Sequence, residues 1–196
     1  MIAHAIYLIR HGETEDNIAR RITGQGDSPL TERWREQAAG NGRLLREIVP
    51  SLGNVTFVAS TLGRARATME LVLDAAGLRR DDFLTDARLM EANHGRWTGR
   101  TVTEVYEERD REIERTGADS FTWRWPGGES RADLLARVDA FLRTLERDTV
   151  LVGHAGSTIA ARGLMLGLPH AQIWQFEPKN AGIIAIRDSR ESLYGR

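Results

Sequence analysis

The stretch AIYLIRHGET (Ala5–Thr14) decides the fold, because an apolar run leads there directly into an arginine and a histidine. An unbroken apolar run of this length is typical of a strand that is buried on both faces of a parallel sheet. A second run, TVLVG (Thr149–Gly153), ends directly before His154. The carboxyl ends of parallel strands open onto the ligand crevice of α/β proteins. We therefore expect His11 and His154 to lie in one site.

Strand-like and helical patterns alternate along the rest of the chain. The predicted strands cover about 4–10, 55–59 and 149–153, with 84–90 as a further candidate. The predicted helices cover about 31–49, 61–77, 101–116, 130–147 and 156–167. This βαβα order favours an α/β fold, a three-layer sandwich with a mostly parallel central sheet and helices on both faces. Near the end, 172–177 and 181–186 are interpreted as a structural edge hairpin around Pro178-Lys179-Asn180.

The length of 196 residues is suited to a single domain, 1–196. Between about 96 and 130 the pattern changes to a highly charged helix followed by WRWPGG, and no strand returns the chain to the sheet. We interpret this segment as a small helical cap inserted into the domain.

The composition excludes several classes of function. A net charge of −1 gives no global basic field of the kind that binds nucleic acid, and the absence of cysteine excludes thiolate catalysis and disulfides. The chain has neither a signal-peptide pattern nor an apolar run long enough to span a membrane. We therefore predict a cytoplasmic protein with neither a nucleic-acid nor a membrane partner.

The two strand-end histidines suit phosphoryl transfer. Histidine can act as a nucleophile that divides a difficult displacement into two steps, provided that the attacking nitrogen is unprotonated. His11 is the candidate, and Arg10 beside it can bind two phosphate oxygens at once. Arg64 follows the predicted strand 55–59 and is the preferred second clamp.

Further groups at the strand ends are candidates for binding or proton transfer. His154 precedes small residues that open a helix, where N–H groups point at an anion, and a protonated His154 would add positive charge. Glu91, at the end of 84–90, is the candidate proton carrier for the leaving oxygen and then for water. The candidates for phosphate contact are Asn17, Thr23, Gly24 and Ala155.

Six segments between residue 9 and about 160 resemble, in order, the histidine phosphatase superfamily of phosphoglycerate mutase-like proteins. They are RHGET from Arg10, the Thr23-Gly24 loop, STLGRA from Ser60, LME from Leu89, PGGES from Pro126 and VGHAG from Val152. The resemblance implies a phosphoglycerate mutase-like fold, a phosphohistidine on His11 and no cofactor. The sequence departs from the family pattern at Trp34, where glycine is usual, and at Ala92-Asn93-His94 after the acid.

The cofactor-dependent mutases of this family carry a longer insertion between the acid and the second histidine. Because a smaller cap gives water easier access to a phosphoenzyme, we favour a metal-independent phosphatase of small phosphorylated metabolites, with a mutase-type phosphotransferase as the alternative. A metal-dependent hydrolase with His11, Glu91 and His154 as ligands and a non-catalytic phospho-ligand-binding module remain as rival interpretations.

The substrate cannot be named from these motifs, since many metabolites present the same phosphate. The candidates for specificity are His94, Arg96, Trp123, Arg124 and Trp125, which follow the acid or lie in the cap. The terminal hairpin offers a sheet edge for a possible homodimer.

Overall fold

The computed structural model describes residues 4–195. Its sheet has six strands in the order β3-β2-β4-β1-β5-β6. The pairs β3-β2, β2-β4 and β4-β1 are parallel, whereas the pairs β1-β5 and β5-β6 are antiparallel. The strands are β1 (Ile6–Arg10), β2 (Thr56–Ser60), β3 (Leu84–Asp86), β4 (Thr149–Gly153), β5 (Ile183–Arg187) and β6 (Arg190–Tyr194). The predicted α/β fold with a mostly parallel central sheet is confirmed.

Helices cover both faces of the sheet. They are α1 (Glu15–Ile18), α2 (Trp34–Ile48), α3 (Gly63–Ala75), α4 (Val102–Thr116), α5 (Arg131–Leu142), α6 (Ala155–Leu166) and α7 (His170–Ile173). No helix within residues 4–195 combines the length and the apolar character needed to cross a bilayer.

The alternation of side chains along the central strands divides the core into two layers. Leu8 of β1 packs in a cluster with residues of α5 and α6, whereas its neighbour Ile9 packs in a second cluster with residues of α2 and α3. Both side chains are almost fully buried. Burial of an aliphatic side chain contributes about 1.5–3 kcal/mol. The continuous apolar run in β1 therefore holds both helical layers on the sheet.

The pairing of β1 with β4 brings the two histidines together. Arg10 is the register partner of Gly153, and the backbone N–H of His11 donates to the carbonyl oxygen of Gly153 over 2.9 Å. The chain leaves the sheet at the same level in both strands. His11 and His154, the next residue after each strand, consequently lie side by side at the ends of β1 and β4.

The cap has an apolar cluster of its own. Trp97, Val105 and Trp125 pack with Ile22, which lies in the loop after α1. In α4 the side chain of Thr101 accepts from the backbone of Glu104, whose carboxylate accepts in return from the N–H of Thr101. This capping box fixes the start of the helix. The cap is thereby tied to the loop that carries Thr23 and Gly24.

The predicted terminal hairpin is correct in its second strand, since 181–186 corresponds to β5, but its first strand and its turn are misplaced. The segment 172–177 is not a strand, because Ile173 is packed against Gly163 of α6 and ends the short helix α7. The hairpin is formed instead by β5 and β6, whose turn has φ 49° at Asp188 and φ 56° at Ser189. Such positive values suit the tight turn of a two-residue hairpin. The segment 174–182 lies outside the sheet, and several of its residues line a large cleft at the ends of the strands. The predicted strand 84–90 is likewise shorter than expected and continues as a 3-10 turn.

Candidate active site

A cleft of about 830 Å³ lies where the ends of β1, β2 and β4 meet the cap. The sequence-predicted residues that line it are Arg10, His11, Asn17, Thr23, Gly24, Arg64, Glu91, His94, Trp125 and Ala155. His154 is fully buried beside His11, and their ring centroids are 5.1 Å apart. Most of the predicted site residues are thus brought together.

His11 is held as a neutral imidazole with one nitrogen available. Its Nδ1 lies 2.8 Å from the carbonyl oxygen of Gly12, which can only accept, so Nδ1 carries the proton. No hydrogen bond to Nε2 is present within residues 4–195. Burial, followed by the charges of Arg10 and Arg64, holds the pKa of His11 well below its usual range. The unprotonated Nε2 is the nitrogen required of a nucleophile.

The surroundings of His154 disfavour a charged ring in the free site. Its pKa is held well below the usual value, first by complete burial and then by the nearby His11, Arg64 and Arg10. Its Nε2 lies 2.8 Å from Oγ of Ser60, while Nδ1 is buried without a partner in the described part of the chain. In the free site His154 is therefore neutral. A phosphoryl group beside it would favour its protonated form.

Arg10 is oriented by the far end of the chain. Its guanidinium donates to the carbonyl oxygen of Pro178 over 2.9 Å, and its Nε is buried without a partner within residues 4–195. Burial lowers the pKa of Arg10, an effect that the carboxylates of Glu91 and Glu177 oppose. The guanidinium remains charged, because arginine is effectively always protonated in proteins.

Arg64 is buried and reaches across the cleft to the Thr23-Gly24 loop. Its two terminal nitrogens donate to the carbonyl oxygens of Gly26 and Gly24, each over 2.7 Å. Gly24 has φ 54°, a conformation that favours glycine. The hydroxyl of Thr23 donates to Asp16 rather than into the cleft. Arg64 therefore fixes the shape of the Thr23-Gly24 loop and places a positive charge at the cleft.

Asn180 is a residue of the cleft that the sequence interpretation missed. Its Nδ2 donates to the backbone oxygen of His11 over 2.8 Å and to Oδ1 of Asn17 over 3.2 Å. Oδ1 of Asn17 also accepts from the N–H of Thr14. Because the carbonyl end of Asn17 is engaged twice, its donating NH2 group is left for a ligand. No local signal marks Asn180, which lies far from both partners in the sequence.

The carboxylate of Glu91 lies against the first turn of α6. Its Oε1 accepts from the N–H groups of Ala92 and Gly156 over 2.8 and 3.0 Å. A Cβ on Gly156 would collide with this carboxylate, so glycine is required for the approach. Arg137, which was also missed, donates to the backbone oxygens of Met90 and Glu91. Glu91 is thus positioned by backbone contacts on two sides.

Two predicted specificity residues line the cleft, His94 after the acid and Trp125 in the cap. His94 has Nδ1 2.9 Å from the carbonyl oxygen of Ala92, and its ring packs at a tilt against Trp125 with the centroids 4.8 Å apart. Burial lowers the pKa of His94, against the opposing effect of Glu91. A neutral ring and an indole face therefore form the wall next to the acid.

The geometry is accompanied by similarity over the whole chain. The sequence model of the histidine phosphatase superfamily, branch 1, matches residues 6–193. The chain belongs to this superfamily. A curated relative, the probable phosphoglycerate mutase GpmB of Escherichia coli O1:K1, is 34% identical over 96% of this chain and 86% of its own.

Two solved structures share the fold. A putative alpha-ribazole-5'-P phosphatase from Escherichia coli is 26% identical, with a TM-score of 0.76 over 98% of this chain and 95% of its own. A mycobacterial glucosyl-3-phosphoglycerate phosphatase in complex with VO3 is 31% identical, with a TM-score of 0.75 over 98% of both chains. The predicted family is confirmed, and the chain is an enzyme of the histidine phosphatase superfamily.

Trp34 supports the turn that follows His11. A Cβ on Gly12 would lie 2.8 Å from Cβ of Trp34, so the turn after His11 packs directly on the start of α2. The N–H of Gly12 donates to the hydroxyl of Thr68 over 3.0 Å. The departure from the family pattern at Trp34 is accommodated by this packing.

Within residues 4–195 no group of three or more histidine, aspartate and glutamate side chains has the geometry to hold a metal ion. His11 and His154 lie between guanidinium groups, whose charge disfavours a cation.

Three predicted specificity residues lie outside the catalytic cleft: Arg96, Trp123 and Arg124 line a separate surface depression. Trp123 packs on Trp97 and Trp125 inside the cap cluster. Arg124 pairs with Asp133 at 2.8 Å with 59% of its side chain exposed. The geometry does not support contact between these residues and a substrate.

Replacing Arg124 by alanine is consequently expected to leave KM and kcat within about twofold of the unmodified enzyme. An exposed ion pair contributes under about 1 kcal/mol, so thermal unfolding should change little. Steady-state kinetics with nitrophenyl phosphate and with the preferred metabolite test this expectation. A selective rise in KM for the metabolite would contradict it and restore Arg124 as a specificity residue.

Proposed function

We propose that this histidine phosphatase hydrolyses phosphomonoesters of small metabolites through a phosphohistidine on His11. The observation that supports this proposal most directly is the hydrogen bond from Nδ1 of His11 to the carbonyl oxygen of Gly12. This bond leaves Nε2 of His11 unprotonated in a cleft that Arg10 and Arg64 also line. The guanidinium groups match the charge of the equatorial phosphate oxygens.

In the first step Nε2 of His11 forms a bond to phosphorus while the ester P–O bond breaks. Glu91 gives a proton to the leaving oxygen. In the second step water attacks phosphorus, the N–P bond breaks, and Glu91 accepts a proton from that water. His154 and the two arginines stabilise the charge on the transferring group.

The cleft volume of about 830 Å³ accommodates a small phosphorylated metabolite. A cytoplasmic location, the lack of nucleic-acid and membrane partners, and homodimer formation through the terminal hairpin remain predictions. Phosphate release from a panel of sugar phosphates, phosphoglycerates, nucleotides and phosphorylated cofactor precursors tests the substrate class. Failure to release phosphate from any member would contradict the proposal.

A mutase-type activity is the second candidate, because the 34% identical relative is named a probable phosphoglycerate mutase. Incubation with 3-phosphoglycerate and catalytic 2,3-bisphosphoglycerate distinguishes the two by phosphorus NMR. A phosphatase accumulates inorganic phosphate, whereas a mutase accumulates 2-phosphoglycerate.

We further propose that the reaction needs no metal ion. Vanadate adopts the five-coordinate geometry of in-line transfer, so it should inhibit at least about 100-fold more tightly than phosphate. Excess EDTA should leave activity unchanged. Loss of activity in EDTA followed by recovery with a divalent metal would favour the metal-dependent hydrolase instead.

A further inference from the structure

The cap side of the cleft contains a cation that the proposed reaction does not use. Arg131, the first residue of α5, lines the same cleft as His11. It is not one of the phosphate-clamp arginines, which lie at the ends of β1 and β2. No carboxylate among the described residues lies within salt-bridge distance of its guanidinium.

Aromatic groups hold Arg131 in place. Its guanidinium lies over the ring of Trp174, 5.0 Å from the centroid, and Tyr106 of α4 is a further neighbour. These two contacts orient the planar guanidinium, which carries more N–H donors than the hydroxyl of Tyr106 can accept. The indole Nε1 of Trp174 is also buried without a partner within residues 4–195.

The charged neighbours of Arg131 are a second arginine, Arg109, and one exposed carboxylate, Asp110. Arg109 lies over the ring of Tyr106, and only 13% of its side chain is exposed. Its own partner, Asp110, is 66% exposed at a distance of 3.3 Å. Burial, and next the charge of Arg109, lower the pKa of Arg131, an effect that Tyr106 and the more distant Asp110 oppose. A partly buried cation without a carboxylate is costly, and an anion bound beside it would offset that cost.

We infer that Arg131 binds a second acidic group of the substrate, so that the preferred phosphomonoester carries a carboxylate or another phosphate away from the transferred phosphoryl group. This inference rests on the proposed function. The transferred phosphate occupies the His11 end of the cleft, and the second acid lies against the Arg131 and Trp174 wall. The cleft is also lined by apolar and aromatic side chains that can enclose the connecting part of the molecule, and they include Ile22, Val102, Trp125, Leu134 and Phe176.

The test uses aryl phosphates that differ by one group. The probes are phenyl phosphate, 4-carboxyphenyl phosphate and 1,4-phenylene bisphosphate. For each enzyme we take the ratio of kcat/KM for an acid-bearing probe to that for phenyl phosphate, which cancels general effects on the phosphate site. Arg131→Gln should lower this ratio about tenfold or more, and Arg131→Lys should lower it less because the charge is kept. Whichever acid-bearing probe loses more identifies the class of the second group.

Arg111→Gln is the matched control, since it removes the same charge from an exposed position of α4 outside the cleft. Its ratio should stay within about twofold of the unmodified enzyme. Should Arg131→Gln change the ratio less than threefold for both acid-bearing probes, or no more than Arg111→Gln does, the inference is overturned. If Arg131→Gln does not fold, Arg131→Lys is measured in its place. A lower ratio in Arg131→Lys than in Arg111→Gln then supports the inference, and equal ratios in the two variants overturn it.

Failure of the proposed function has a different signature. The unmodified enzyme would then release no phosphate from any of the three probes. The Arg131 inference is in that case measured by calorimetry with benzylphosphonate and 4-carboxybenzylphosphonate. A tenfold selective loss of affinity for the carboxylated compound in Arg131→Gln supports it, and equal affinities in the two proteins overturn it.

Discussion

Replacing His11 by alanine is expected to lower kcat by about a thousandfold or more, the scale on which loss of a nucleophile acts. The loss arises because Nε2 of His11 is the unprotonated nitrogen beside the two guanidinium groups. His154 cannot replace it, since it is fully buried and bonded to Ser60. Phosphate release from nitrophenyl phosphate measures the effect.

The matched control is His170→Ala. His170 is an exposed histidine stacked on Phe121 outside the cleft, so its removal should change kcat less than about twofold. Thermal unfolding of both variants shows that the fold is kept. Near-normal turnover by a folded His11→Ala variant would be incompatible with the proposed mechanism.

Replacing Glu91 by glutamine should produce a loss that depends on the leaving group. Glutamine keeps an oxygen for the N–H of Gly156, but it cannot transfer a proton. Hydrolysis of an alkyl phosphate should fall about 100-fold or more, the usual scale of general acid catalysis. Hydrolysis of nitrophenyl phosphate, whose leaving group needs little protonation, should fall less than about tenfold.

Glu177→Gln is the control for this prediction, because Glu177 is another carboxylate of the cleft. Its removal changes the local charge without removing the proposed proton carrier. Both substrates should therefore respond to the same extent in Glu177→Gln. Equal losses for both substrates in Glu91→Gln would assign the proton transfer to another group.

Much of the fold could be predicted because its signals are local. The apolar runs of β1 and β4 mark buried strands, and the helices α2 to α6 begin and end within a few residues of their predicted bounds, apart from the last turn predicted for α5. The strand ends then place His11, Arg64 and His154 in one crevice by the rule for parallel sheets. These predictions needed no knowledge of distant contacts.

The parts that failed depend on contacts between distant residues. The carbonyl of Pro178 accepts from Arg10 and the amide of Asn180 binds His11 and Asn17, although nothing near these residues marks them. The apolar residues of 172–177 look like a strand, but Ile173 packs on α6 instead. Tertiary packing overrides local propensity in this segment.

The cap shows the same limit at the level of single side chains. Trp123, Arg124 and Trp125 are adjacent, yet only Trp125 lines the catalytic cleft. Arg124 turns to Asp133 on the surface, whereas the unmarked Arg131 lies in the cleft. The local sequence indicated that the cap borders the cleft, but it could not predict which side chains of the cap line the cleft.

The most direct test of the central claim is to trap the phosphoenzyme during turnover. The unmodified protein is mixed with a phosphorus-labelled substrate, quenched in base within milliseconds and mapped by peptide mass spectrometry. The account predicts an acid-labile, base-stable phosphate on His11 that forms and decays at rates compatible with kcat, and none in His11→Ala. Turnover without a phosphorylated His11, or the label on another residue, would contradict it.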